Sequence, residues 1–156
     1  MNWDAIGAIG EVVGAVAVVG TLAYLAVQIR AQAREYKLAA VQTLTSNITE
    51  TYSGMMEHQL AEVWTRGVKD FDSLVEAEQV QLIAFMQKYF RTVEAAYYQA
   101  EAAGLNEHVW KGIVRHTATL LSTSAASRVW AMRKHSYSDE FQAFIDGIEP
   151  EKYHLG

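Results

Sequence analysis

Between Ala5 and Ile29 the chain carries a single charged residue, Glu11. Its surroundings, AIGAIGEVVGAVAVVGTLAYLAVQIR, are mostly apolar or glycine. An ionised side chain at the centre of a bilayer costs roughly 2.5–3.5 kcal/mol on insertion scales, so an acid there needs a hydrogen-bonding neighbour or water. A carboxyl bonded to a neighbouring helix meets the first need. A ring of carboxylates around a water-filled axis meets the second, and such rings are one way pores select cations. Both arrangements require more than one copy of the chain.

The remaining chemistry-bearing residues form no recognisable constellation. His58, His108, His116 and His135 stand on different expected helices or eight residues apart, so no His-x-x-x-His pair puts two imidazoles on one helical face. Glu151-Lys-Tyr-His154 has the Glu-x-x-His spacing of a di-iron bundle, but it is a single copy in the tail where such a site needs two on core helices. There is no Gly-x-Ser-x-Gly elbow and no phosphate-binding Walker loop. The absence of cysteine excludes disulfides, thiolate metal sites and thiol nucleophiles. A basic, aromatic group at Arg128, Trp130, Arg133, Lys134 and His135 reads best as a solvated helix face beside a packed indole. Neither an enzymatic activity nor a metal or cofactor is expected.

Charge is distributed unevenly along the 156 residues: all 13 Lys and Arg lie at or beyond Arg30. The formal charge of −5 argues against nucleic acid as the main partner, because phosphate binding needs a basic face. The apolar run of 25 residues up to Ile29 is long enough, at 1.5 Å per residue, to cross a hydrocarbon layer of roughly 30 Å with some tilt. Trp3 and Tyr24 fall about 31 Å apart on that rise, at the depths where interfacial aromatics sit. A cleaved signal peptide would need a basic start, whereas this chain begins Met-Asn-Trp-Asp. Arg30, Arg34 and Lys37 anchor the far end, and the positive-inside rule then places the N-terminus outside and the rest in the cytoplasm.

Small residues recur along this segment at steps of three and four: Gly7, Gly10, Gly14, Ala17 and Thr21. Such a seam lets two helix backbones approach closely in lipid, and Glu11 lies at its edge, about 12 Å beyond Trp3. The expectation is a homo-oligomer with the seam and Glu11 turned inward. If the ring holds water it is an ion pathway; if it is dry it is an anchor. The competing reading is a tether that only localises a cytosolic binding or sensory module.

Beyond Arg30 nothing breaks the helix. Leu38, Val41, Leu44, Ile48 and Tyr52 continue as an amphipathic stripe, predicting one rod from about Asp4 to Ser53 with an end or kink at Gly54. Met56, Leu60, Val63 and Trp64 predict a short helix ending near Gly67. Ser73-Leu-Val-Glu76 has the capping-box spacing and predicts the start of a long helix that stops near Gly104. Asn106 predicts the cap of a helix carrying Val109, Trp110, Ile113, Val114, Thr117, Leu120 and Leu121. Ser122 to Ser127 predicts a break or new cap before a short helix through Trp130 and Met132. Ser138 opens a last helix, with Phe144, Ile145 and Ile148, that Pro150 ends. Tyr89, Phe90, Tyr97 and Tyr98 read as core or subunit contacts.

Two stretches carry a resemblance: Ala8-Ile-Gly-Glu11 with Tyr24-Leu-Ala-Val-Gln-Ile-Arg30, and Leu120-Leu-Ser, Arg128-Val-Trp130 and Tyr137-Ser-Asp-Glu-Phe141 with Phe144-Ile-Asp146. In these the chain resembles a widespread group of bacterial single-pass membrane proteins to which no activity is assigned. The resemblance implies a membrane-anchored helical domain and brings no catalytic residue. The sequence is therefore read as all-α: a transmembrane helix over 1–29, an antiparallel cytosolic bundle over 30–149 and a tail over 150–156. The bilayer and copies of the chain are its expected partners, in a bacterial inner membrane, and any small-molecule ligand of the bundle is unknown.

Overall fold

Uninterrupted apolar and helix-favouring residues with no proline make α1 (Trp3–Ser53) one continuous helix, matching the rod expected from the sequence. The computed structural model describes residues 3–53, 58–102 and 104–153, without the side chains of residues 3–8 and 58. Gly54, Met56 and His154 lie outside the described residues, and so do the side-chain surroundings of Trp3, Gly7 and His58. The chain divides into two compact units, Met1–Ala39 and Ala40–Gly156.

The described part of the first unit is the α1 helix up to Ala39. Every residue from Ile9 to Ala39 is exposed, including Val12, Val16, Val19 and Leu22. The helix is long and apolar enough to cross a membrane, and none of its most apolar window is buried inside the protein. In water this surface would be a large unfavourable exposure, which is the physical mark of a helix meant for lipid.

The second unit is an all-α bundle with no strand among the described residues. After the last turns of α1 come α2 (His58–Gly67), α3 (Glu76–Glu101), α4 (Glu107–Leu121), α5 (Ser124–Arg133) and α6 (Asp139–Asp146), with 3₁₀ turns at Phe71–Ser73 and Lys134–Ser136. Helix α3 is the hub, packing against α2, α4 and α5. Its inward residues Leu82, Met86, Phe90 and Val93 meet Val129 of α5 and Phe141 and Ile145 of α6, all nearly inaccessible to solvent. Aromatic rings fill the centre: Phe90 lies 4.9 Å from Trp130, which is 5.3 Å from Tyr137 and 5.9 Å edge-on to Phe141. Gly67 ends α2 where a methyl would collide with the Leu82 side chain, so glycine lets this helix close onto the core.

Three helix starts follow the expected caps. Asn106 accepts from the His108 N–H at 2.9 Å, Thr123 from Ala126 at 3.2 Å and Ser138 from Phe141 at 3.4 Å. The start of α3 differs. The Ser73 hydroxyl donates to the Asp70 carbonyl at 2.7 Å inside the 3₁₀ turn, and the helix begins at Glu76, where Glu78 reaches back to the Val75 N–H at 3.4 Å. At the other end of the bundle α6 stops at Asp146, before Pro150, because Gly147 already turns the chain by donating to Ala143 and Phe144. The described part of the tail is tied to α4 and the residue after it: Glu151 N–H donates to Ala118 O at 3.1 Å and Tyr153 N–H to Ser122 Oγ at 3.0 Å.

A ranking of stability losses follows. Phe141→Ala removes a ring that touches four other aromatics and lowers the unfolding free energy of the full chain in detergent by about 3–5 kcal/mol. Thr123→Ala removes one cap and costs about 1 kcal/mol. Chemical unfolding monitored by far-UV circular dichroism checks both, and equal losses would contradict the placement of Phe141 at the centre.

Candidate functional site: a groove between α1, α3 and α4

The last turns of α1 touch the bundle at separated points. Leu44 is buried with Ala96 and Leu105, the Tyr52 ring stands edge-on to Phe85 at 6.3 Å, and Glu50 pairs with Lys88 at 2.8 Å. The stripe expected from Leu38 to Tyr52 engages the bundle only from Val41 on; Leu38 is exposed, in the first unit. Between these points the side chains do not fill the space, and a groove of about 370 Å³ remains.

Its floor is α3, with Tyr89, Thr92, Val93 and Ala96. One wall is α1, with Leu44, Ile48 and Tyr52; the other is α4, with Val109, Gly112, Ile113 and His116. None of these eleven residues carries a charge when the histidine is neutral. Gly112 has nothing within 4 Å of where a Cβ would stand, so a glycine in mid-helix, which costs about 1 kcal/mol against alanine, here leaves the α4 wall open.

Polar atoms gather at one end. The Tyr52 hydroxyl pairs with His116 Nε2, and both Tyr52 and Tyr89 present ring edges to the imidazole, at 5.8 and 5.9 Å between centroids. The buried Tyr89 hydroxyl pairs with Thr117 Oγ1 at 2.8 Å, and that Thr hydroxyl also donates to the Ile113 carbonyl at 2.9 Å. Burial pushes the Tyr52 phenol up to about 12 and raises Tyr89 as well, so both remain O–H donors at neutral pH. His116 lies at the mouth, part open to solvent, yet the apolar surroundings of its ring pull its pKa below the ordinary value. The neutral imidazole and the Tyr52 hydroxyl share one hydrogen bond at Nε2, its direction set by the tautomer, and Nδ1 has no partner among the described residues.

The sequence-predicted membrane residues stand along α1. Gly10, Gly14, Ala17 and Thr21 share one face through their spacing, and Glu11 borders it one turn before Gly14. A Cβ at Gly10 or Gly14 would meet nothing within 4 Å, so the seam is uncovered in the single chain. Thr21 satisfies its hydroxyl by donating to the Ala17 carbonyl at 2.9 Å. Further along, Gln28 Nε2 donates to the Tyr24 hydroxyl at 2.6 Å, which pairs two polar groups at the end of the apolar run. Arg30, Arg34 and Lys37 are exposed just beyond it. The basic group on α5 is a solvated face: Arg128 pairs with Asp72 at 2.8 Å and Lys134 with Asp146 at 2.7 Å, while Trp130 is buried. Tyr89 and Phe90 are core, Tyr97 is half-buried and Tyr98 is exposed. No group of three His, Asp or Glu suited to a metal ion occurs among the described residues.

Sequence reasoning named Tyr52, Tyr89 and Ile113 as packing residues and missed the groove they line. A readable signal was present: Val109, Gly112, Ile113 and His116 follow helical spacing, so one inward face holds a glycine and an imidazole. No family model, curated protein or solved structure matches this chain. Its class is defined by its own architecture, an apolar membrane-span-like helix followed by a packed helical bundle.

The depressed His116 pKa fixes a direction for pH dependence. Above the ordinary value of about 6.5 the imidazole is neutral folded and unfolded, and full stability is present. As pH falls from there through the lower folded pKa, the unfolded chain binds the proton first and stability is lost. Unfolding midpoints measured from pH 7.5 to 5 should therefore drop at the acid end, and His116→Gln should flatten the drop. An imidazole titration by NMR that gives His116 a value above 6.5 would contradict this environment.

Proposed function

We propose that the protein is a single-pass membrane protein whose first helices associate with one another through the Gly7, Gly10, Gly14, Ala17 and Thr21 seam, carrying the helical bundle in the cytoplasm. The observation that carries this reading is the fully exposed apolar surface of α1 with an uncovered small-residue face and one acid on its edge. In lipid the hydrophobic effect does not drive helices together, so close backbone contact at glycines and hydrogen bonding by a polar side chain supply the association. Glu11 turned toward like helices exchanges a cost in hydrocarbon for a hydrogen bond or for water. Arg30, Arg34 and Lys37 support a cytoplasmic C-terminal side.

The groove favours a second reading for the bundle itself, as a binding or sensory module tethered by α1. In that reading the bundle binds a ligand, with His116 set against Tyr52 and Tyr89 at the mouth of the groove. The two readings are compatible: association is a property of the membrane segment and binding a property of the bundle.

Mass measurement of the full chain in detergent should give an oligomer, and Gly10→Leu with Gly14→Leu should shift it to monomer. A monomeric wild-type chain sinks the association reading. For an oligomer, conductance in planar bilayers that disappears with Glu11→Gln identifies a water-filled ring, and no conductance identifies a dry anchor. The chain has no cysteine, so single cysteines report topology cleanly. Asn2→Cys should react with an impermeant maleimide in intact cells and Glu149→Cys only after permeabilisation; the reverse pattern inverts the orientation.

A further inference from the structure

We infer that the groove between α1, α3 and α4 binds a neutral amphiphile: an alkyl or ring body along the apolar walls, with one hydroxyl or carbonyl directed at the Tyr52–His116 pair. Folded interiors are packed as densely as organic crystals, and an unfilled apolar space of about 370 Å³ is far larger than ordinary packing defects. That volume is in the range of small-molecule sites and holds on the order of a dozen non-hydrogen atoms at about 30 Å³ each.

The chemistry of the walls selects the occupant. No charged side chain lines the groove, so a carboxylate or ammonium inside it would lose its hydration without a counter-ion. Lys88 on α3 is paired with Glu50 at 2.8 Å, and Lys111, beside Gly112 on α4, with Glu107 at 2.6 Å. Thr92 donates to the Lys88 carbonyl at 3.0 Å and Tyr89 is paired with Thr117, so the Thr92 proton is already committed and the Tyr89 oxygen already has a partner. At the mouth, His116 Nδ1 and the Tyr52 oxygen keep spare hydrogen-bonding capacity together, where one ligand group can use both. In either tautomer the pair keeps one donor and one acceptor, which suits a hydroxyl, able to give and receive, or a carbonyl facing the spare donor. Gly112 keeps the entrance clear, and Val109 beside it is 38% exposed, an apolar rim that a ligand body would cover.

The test uses the full chain in nanodiscs, with His116 imidazole NMR resonances as a readout confined to the groove. The probes are 1-decanol, decane and, at pH 8.5, decanoate. Decanol should shift the His116 resonances saturably. Decane should bind more weakly for want of a head group, and decanoate should give no saturable shift. Tyr52→Phe removes one hydrogen-bonding oxygen and should weaken decanol by about 3- to 10-fold. Gly112→Leu fills the groove and should abolish the shift. Leucine has higher helix propensity than glycine, and an unfolding midpoint at or above wild type confirms that this variant is folded. No saturable shift in wild type, an unchanged shift in a folded Gly112→Leu chain, or decanoate binding as tightly as decanol would overturn the inference. So would His116 shifts that follow protein density in the disc without probe, which would assign the groove to a second copy of the chain. Self-association of α1 is read separately by mass, so either idea can fail without the other.

Discussion

A backbone in hydrocarbon has no water to bond, so a crossing segment must satisfy every N–H and C=O within itself. That requirement makes α1 a single unbroken helix over its apolar length, and everything else in the chain is attached to its consequence. The helix tolerates Gly7, Gly10, Gly14 and Gly20, which would weaken it in water, because in lipid its alternative is an unsatisfied backbone. It also dictates how polar side chains behave within it. Thr21 bonds back to Ala17, and Gln28 bonds to Tyr24 one turn earlier, so each closes its polar atoms locally. Glu11 makes no such local closure among the described residues, the feature on which the proposed association through α1 rests.

The same helix changes character along its length. Up to Ile29 its apolar residues surround it, Arg30 to Lys37 bring charge, and from Val41 on the apolar residues are confined to one stripe whose members reach α3 and α4. A one-sided stripe is what an amphipathic helix uses to dock on a core in water. The docking is economical, with Leu44 seated near one end, Tyr52 near the other and a surface ion pair between Glu50 and Lys88. The ion pair is exposed on both sides and contributes little, so the apolar contacts hold the segment. The bundle beneath does not depend on this segment for its centre, because the Phe90, Trp130, Tyr137 and Phe141 rings are packed by α3, α5, α6 and the turn between them.

Most of the fold was legible because its signals are local. Continuous apolar residues give α1, and Asn106, Thr123 and Ser138 announce helix starts through a side-chain oxygen placed to accept a backbone N–H. Ser73 misled because spacing alone does not say which backbone group a hydroxyl will choose. Here it took the Asp70 carbonyl in a 3₁₀ turn and left the start of α3 to Glu78. Leu38 misled because periodicity continues past the point where a partner surface exists. The groove was hidden for a deeper reason: it is defined by what Gly112, Ala96 and Thr92 fail to fill, and a pattern of residues records volume only once the facing helices are known. The membrane seam is legible as spacing, and a single chain leaves it uncovered.

The placement of the groove has a thermodynamic consequence. A molecule seated there touches α1, α3 and α4 together, so its binding free energy adds to the few contacts that hold residues 41–53 against the bundle. Anything that binds only the docked form raises the population of that form in proportion to its differential affinity. Tyr52 serves both tasks, since its ring packs on Phe85 while its hydroxyl meets His116 at the mouth. A ligand that takes up the remaining hydrogen-bonding capacity of that pair would therefore strengthen the attachment of α1 itself. The residues that leave the space open are small ones on α3 and α4, where larger side chains would pack more tightly and stabilise the empty bundle. Under the proposed binding reading, occupancy of the groove and seating of residues 41–53 against the bundle are therefore linked in one equilibrium.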